Sequence, residues 1–136
     1  FSISAIKGKF NRSKIDFDKT FLFEEHPNYE LMDSVPELIS DEKILIYYID
    51  SPKYNWCLTN KRLFVNGINE KRISLSDLIK VDLDYLKENP NKKNDNREIT
   101  LYTNKTKFDL KVEEKSWHLF YNIFKFIISK NKKGDS

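Results

Sequence analysis

From Lys43 to Val112 the chain runs through seven short segments in which apolar and polar residues alternate or β-branched and aromatic residues cluster. Each segment is bounded by turn-forming residues. Lys43–Asp50 is the first expected strand, dense in Ile, Leu and Tyr. Pro52 marks a loop, and Asn55–Thr59 resumes as a strand with Trp56 and Leu58 on one side. Asn60-Lys61 and Asn66-Gly67 are turn signals that bracket Arg62–Asn66, and Lys71–Leu75 follows. After a break at Ser76-Asp77, Ile79, Val81, Leu83 and Tyr85 alternate with Lys80, Asp82 and Asp84, the pattern of a half-buried strand. Residues 87–97 read as a mobile polar loop. Glu98–Thr103 and Thr106–Val112 form the last two expected strands, joined by a turn at Asn104-Lys105.

From Glu113 the period changes. Trp117, Phe120, Tyr121, Phe124, Ile127 and Ile128 recur at spacings of three and four, the stripe of an amphipathic helix. Glu113 and Glu114 suit the positive end of the helix dipole, while Lys125 and Lys130 suit the other. The helix is expected to end near Lys130, leaving 131–136 as a polar tail.

The first forty residues are harder to read. Residues 1–18 lack clear periodicity and suggest an arm. Asp18 is a candidate cap for a short helix over Phe21–Glu25. A second acidic helical turn is expected from Asn28, with Leu31, Met32, Val35, Leu38 and Ile39 on one face and a break at Pro36. The domain layout that follows is a partly helical N-terminal acidic extension over 1–40, a strand-rich body over 41–130, and the tail.

At 136 residues a single domain is the economical expectation. A chain that begins at Phe1 suggests a processed product or an excised piece. The single cysteine, Cys57, leaves no intramolecular disulfide and no multi-cysteine metal site. No apolar run approaches a membrane span, and nothing resembles a signal peptide, so the expected location is cytoplasmic, with membrane association left open.

The net charge of +3 conceals a segregation. Residues 1–14 hold Lys7, Lys9, Arg12 and Lys14 and no acid, whereas in residues 15–42 Lys19 stands against nine carboxylates. Such an acidic stretch either packs onto the basic remainder, screens it from anionic partners, or is simply solvated.

Three segments carry a resemblance. "WCLTNKRLFVNG" (Trp56–Gly67), "ISLSDLIKVDL" (Ile73–Leu83) and "ITLYTNKTKFDLKV" (Ile99–Val112), followed by a closing helix, resemble the bacterial pleckstrin-homology-like (PH-like) and GRAM-related families over roughly residues 41–129. The chain departs from the family where Asn104 stands in the last hairpin in place of the usual glycine. The resemblance implies an α+β fold: a strongly bent antiparallel seven-stranded sheet or barrel closed by a C-terminal amphipathic helix. It also implies a non-enzymatic binding module, with protein–protein docking as the leading role.

No catalytic constellation stands out. The two histidines, His26 and His118, lack ligand spacing, and His118 lies off the helix stripe. Cys57 sits inside a strand with no histidine beside it in sequence, as an inert thiol would. Asp82 and Asp84 share one strand face and read as its solvated side. An enzyme would need His26, Asp50 and Cys57 to converge. No cofactor is implied, because no glycine-rich phosphate loop exists.

Peripheral binding to an anionic lipid surface is the alternative, through Lys53, Lys61, Arg62, Lys71, Arg72, Lys92 and Lys93. Solvated charge is the stronger reading of these residues. The loop Ser51–Asn55 offers only Lys53, a poor match to a phosphoinositide site. Single-stranded nucleic acid is a minor alternative, resting on Lys53-Tyr54-Asn55-Trp56 and weakened by a pI of only about 8.8.

Overall fold

A computed structural model describes residues 1–134. Asp135 and Ser136 of the expected tail lie outside the described residues, as does the side chain of Met32. In chain order the elements are α1 (Ile3–Arg12), β1 (Thr20–Leu22), α2 (Tyr29–Ser34), β2 (Ile44–Ser51), β3 (Tyr54–Thr59), β4 (Arg62–Asn66), β5 (Lys71–Ser74), β6 (Leu78–Asp82), α3 (Asp84–Glu88), β7 (Glu98–Thr103), β8 (Lys107–Lys111) and α4 (Trp117–Gly134). Single 3-10 turns lie at Leu75–Asp77 and Pro90–Lys92. The fold is mixed α+β with two antiparallel sheets and a C-terminal helix.

All seven expected strands form, with ends shifted by up to three residues, but they do not make one seven-stranded sheet. Eight strands divide into a five-stranded sheet, β1-β2-β3-β4-β5, and a three-stranded sheet, β6-β7-β8, and no closed barrel is found among the described residues. The division falls at the 3-10 turn Leu75–Asp77. Leu75 still donates its N–H to Lys61 O at 2.9 Å, and then the turn takes the chain out of that ladder and β6 pairs with β7 instead. The chain forms two compact units, Phe17–Leu75 and Phe1–Asp16 with Ser76 onward.

In the Phe17–Leu75 unit, the residues expected to start a helix at Phe21 form β1. Thr20, Phe21 and Leu22 pair with Tyr48, Tyr47 and Ile46 of β2. A Thr-Phe-Leu run with a strand edge available gains more from ladder bonds and cross-strand packing than from an isolated helical turn. Antiparallel pairing sets Phe21, Tyr47, Cys57 and Phe64 in one row across the sheet. Leu31 and Ile44 join the core on that face, with Phe23, Val35, Leu38 and Ile49 packed against it. The acidic stretch 17–42 therefore contributes a strand and core residues to this unit. Ile46, Leu58 and Leu63 on the opposite face are also fully buried, so β2 and β3 read as continuous apolar runs. α2 starts where Asn28 predicts: its side-chain oxygen accepts from the Leu31 N–H at 3.0 Å. The helix stops at Ser34. Val35 is already extended ahead of Pro36, and Ile39 is exposed.

In the other unit the expected arm contains a ten-residue helix. Ser2 caps α1 by accepting from the Ala5 N–H at 3.2 Å, and Ile6 and Phe10, four apart, are buried. β6 ends at Asp82, earlier than the expected Tyr85. A register shift between Leu78 and Lys80 turns Leu78 and Val81 inward and leaves Ile79 exposed. The chain then coils into α3, so Tyr85 sits on a helix and is exposed. The connection 87–97 holds the Pro90–Lys92 turn and the buried Asn96, whose Nδ2 donates to Glu98 O at 3.0 Å. α4 buries Phe120, Ile123, Phe124 and Ile127 completely and packs on α1, β6 and β7. Trp117 and Tyr121 are half-buried, and Trp117 Nε1 donates to Lys93 O at 3.1 Å. α4 runs to Gly134, past Lys130, because Asn131, Lys132 and Lys133 do nothing to stop a helix before the glycine. No helix among the described residues is long and apolar enough to cross a membrane.

Candidate functional site

The seven basic residues expected to meet an anionic surface divide between the units. Lys53, Lys61, Arg62, Lys71 and Arg72 belong to Phe17–Leu75, and Lys92 and Lys93 to the other. Lys53 is exposed in the β2–β3 turn, and Lys92 and Lys93 are exposed between α3 and β7. Lys71 and Arg72 lie on β5, an edge strand, where Arg72 faces Glu70 at 3.5 Å. Lys61 and Arg62 are engaged internally. Lys61 Nζ donates to Ser40 O at 2.9 Å. Arg62 donates to both carboxylate oxygens of Glu42, at 2.9 and 2.5 Å, and lies over the Phe64 ring.

Glu42 is the charge the sequence left among solvated acids. Its side chain is fully buried. Burial alone would push its carboxyl up. Hydrogen bonds from Arg62, from Thr59 Oγ1 at 2.6 Å and from the Ile39 N–H at 3.0 Å outweigh burial, with help from the Arg62 charge, and hold the carboxyl at about 2. The cluster ties the segment before β2 to the β3–β4 turn and leaves its carboxylate no vacant face.

His26, Asp50 and Cys57 take separate roles. The His26 carbonyl accepts from Tyr47 OH at 2.7 Å, and Asp50 pairs with Lys19 at 3.1 Å. Cys57 is buried opposite Tyr47, its thiol pushed up to about 12 by burial and then by the Glu42 charge. His118 is exposed on α4, beside Asn122.

The unit containing α3 and the three-stranded sheet presents a different chemistry. Pairing of Thr100 with Asp109, and of Glu98 with Lys111, sets Glu98, Thr100, Asp109 and Lys111 on one face of β7 and β8. α3 adds Asp84, Tyr85 and Glu88, and the three elements enclose a hollow of about 290 Å³ that Lys107 and Phe108 complete. Its rim is fixed by a network. Tyr102 OH donates to Asp84 Oδ2, and Lys107 Nζ reaches the same oxygen at 3.5 Å. Asp84's acceptance of that hydrogen bond is the main reason the Tyr102 phenol is raised to about 12, helped by burial and the neighbouring carboxylates. Asp82 receives Lys87 at 2.7 Å, the Leu83 N–H at 2.8 Å and Lys80 at 3.1 Å. The Lys87 hydrogen bond leads in holding Asp82 near 2 against the opposing effect of burial.

Glu98 shifts the other way. Burial first, and then the charge of Asp109, raises its pKa above the ordinary value. Asp109 accepts from Thr100 Oγ1 at 2.9 Å. Four carboxylates thus line the hollow with Lys107 as the one lysine among its lining residues. Among the described residues, no three His, Cys, Asp or Glu side chains gather as metal ligands. The hollow suits a positively charged side chain. The sequence hid this site because Asp84 and Asp109 alternate with apolar neighbours as solvated strand residues do. The missing signal was α3, which folds Asp84 and Glu88 over the sheet.

No protein-family model matches the chain, and no curated protein matches it.

Proposed function

We propose that the chain is a non-enzymatic docking module of PH-like type, acting in the cytoplasm on a protein partner. The antiparallel run β2–β5, then β6–β8, then α4 supports the PH-like reading by its order. The observation that carries docking is the acidic hollow beside β8. β8 is an edge strand, pairing with β7 in the sheet order β6-β7-β8. An extended segment added to that edge gains main-chain hydrogen bonds, and a Lys or Arg on it can enter the hollow. Glu98 and Asp109 repel one another, and an incoming cation removes that repulsion. The partner is therefore an extended, basic segment of a protein.

The test is an amide-shift titration with two short peptides, one alternating valine with lysine and one alternating valine with glutamate. The lysine peptide is expected to perturb the amides of Lys107–Lys111 and to lose affinity with added salt and in Asp109→Asn. Equal response to the glutamate peptide, or none to either in the millimolar range, would overturn the reading.

A further inference from the structure

We propose that a second cleft, between α1 and the start of α4, binds a phosphate-bearing ligand. It lies wholly within the unit that α1 and α4 share, measures about 460 Å³, and shares no lining residue with the acidic hollow. Lys9 and Arg12 line it from α1, Lys115 from the turn before α4, and His118 from the first turn of α4. Among the described residues, no carboxylate lines it. The four acid-free bases of residues 1–14 thus have a structural outcome: α1 turns two of them toward one cavity.

Three details show cations gathered rather than scattered. Gly8 sits mid-helix, where glycine is unfavourable, and a Cβ there would lie 2.8 Å from Arg12 Nη1. The glycine leaves room for the guanidinium to lie back along α1. Lys115 holds a left-handed backbone, φ 70°, which a side-chain-bearing residue adopts at a cost. Lys9 Nζ stands 5.2 Å from the centre of the Phe126 ring, which is outside the cleft's lining, and Lys130 stands 5.3 Å from the same ring, so Lys9 reaches a ligand by swinging off that ring.

The ligand class follows from the donors. Arg12, Lys115 and Lys9 all line one cavity, and no carboxylate is among its described lining residues. A carboxylate brings one negative charge and is saturated by one guanidinium fork. A phosphate monoester or pyrophosphate brings about two or more charges and several terminal oxygens, enough for Arg12, Lys9 and Lys115 together. Asn122 adds an amide, and Ile15 and Leu119 give the cleft apolar walls.

The full chain is titrated with sodium pyrophosphate by calorimetry against sodium chloride of equal ionic strength. In parallel it is sedimented with phosphatidylcholine vesicles with and without phosphatidic acid. Wild type is expected to bind pyrophosphate, phosphatidic acid vesicles, or both, beyond the chloride and phosphatidylcholine controls. Arg12→Gln and Lys115→Gly should each weaken that binding about tenfold or more. Lys43→Gln, an exposed position in the other unit, should leave it unchanged. Lys115→Gly relieves the left-handed backbone, so its loss of binding cannot be put down to misfolding. Gly8→Ala should strengthen α1 yet weaken binding by displacing the guanidinium. Binding of pyrophosphate without vesicles identifies a soluble phosphate, and binding of vesicles identifies a lipid headgroup. Wild type that binds neither, or Arg12→Gln and Lys115→Gly variants that bind as wild type does, would overturn the proposal.

Discussion

Glu42→Gln is expected to destabilise the protein by about 3 kcal/mol at neutral pH, and two routes lead to that magnitude. The first is proton linkage. The Glu42 carboxyl lies at about 2 in the folded protein against an ordinary 4.5. A difference of about 2.5 units at about 1.4 kcal/mol each favours the ionised folded form by about 3 kcal/mol. The second is the cost of orphaning a partner. Removing one member of a buried, hydrogen-bonded ion pair costs about 3–5 kcal/mol, and glutamine, which keeps one acceptor oxygen, belongs at the lower end. The sign of the pH dependence is fixed by the depressed folded pKa. The stabilisation is complete above the ordinary 4.5 and is lost as pH falls toward about 2. At pH 3 about 2 of the roughly 3 kcal/mol is gone. Urea unfolding of wild type and variant at pH 7 and pH 3, followed by fluorescence of Trp56 and Trp117, should show a gap that narrows from about 3 to about 1 kcal/mol. A gap under about 1 kcal/mol at pH 7, or one that does not narrow, would refute the reasoning. Replacing Glu42 and Arg62 together by leucine should recover much of the loss, because no buried charge is then left unpaired.

Truncation before Ser116 removes Phe120, Ile123, Phe124 and Ile127, all fully buried. At about 2 kcal/mol each this is comparable to the whole stability of a small domain, so calorimetry should find no cooperative melt, and an unchanged midpoint would contradict the burial. Cys57, buried and raised to about 12, should react with a thiol reagent only at the rate of unfolding, about a thousandfold or more slower than in urea; fast reaction of the folded protein would show the thiol to be accessible. Lys115→Gly should raise stability by about 1 kcal/mol by relieving φ 70°, and a lowered melting temperature would contradict that.

What was legible depended on whether a residue's role is local. The strands from Ile44 to Lys111 could be read because alternation and turn residues are local properties, and α4 because its stripe repeats for several turns. Pairing is not local, so the same strands could not reveal that they divide into sheets of five and three. α1 carries a short signal: a Ser2 cap, an Ile3-Ile6-Phe10 stripe and basic residues in the last turn, interrupted by Gly8. β1 is three residues long and exists because β2 offers an edge, which no window over Thr20–Leu22 contains. The acidic hollow needed α3, whose five residues begin inside a run that alternates like a strand. β6 keeps its register from Lys80 to Asp82, and the chain coils only after that.

The direction of a carboxylate's shift separates charges that hold the fold from charges that wait for a partner. Glu42 and Asp82 both sit near 2 because donors already surround them: Arg62, Thr59 and a backbone N–H for one, Lys87, Lys80 and a backbone N–H for the other. A ligand cation would have to displace those donors. Glu98 moves the opposite way, because burial and then the charge of Asp109 act on it. Its ionised form is least favourable alone and gains most from an arriving Lys or Arg. The same logic sorts the bases. Arg62 has its carboxylate, and Lys87 has Asp82. Arg12 and Lys115 face a cleft whose described lining residues supply no carboxylate, so the field they create is available to a ligand. Substitutions at Glu42, Arg62 or Asp82 should therefore register as losses of stability, and those at Asp109 or Arg12 as losses of binding, while Lys115→Gly should weaken binding even as it relieves a left-handed backbone. A stability loss at Asp109→Asn as large as that at Glu42→Gln would break this division.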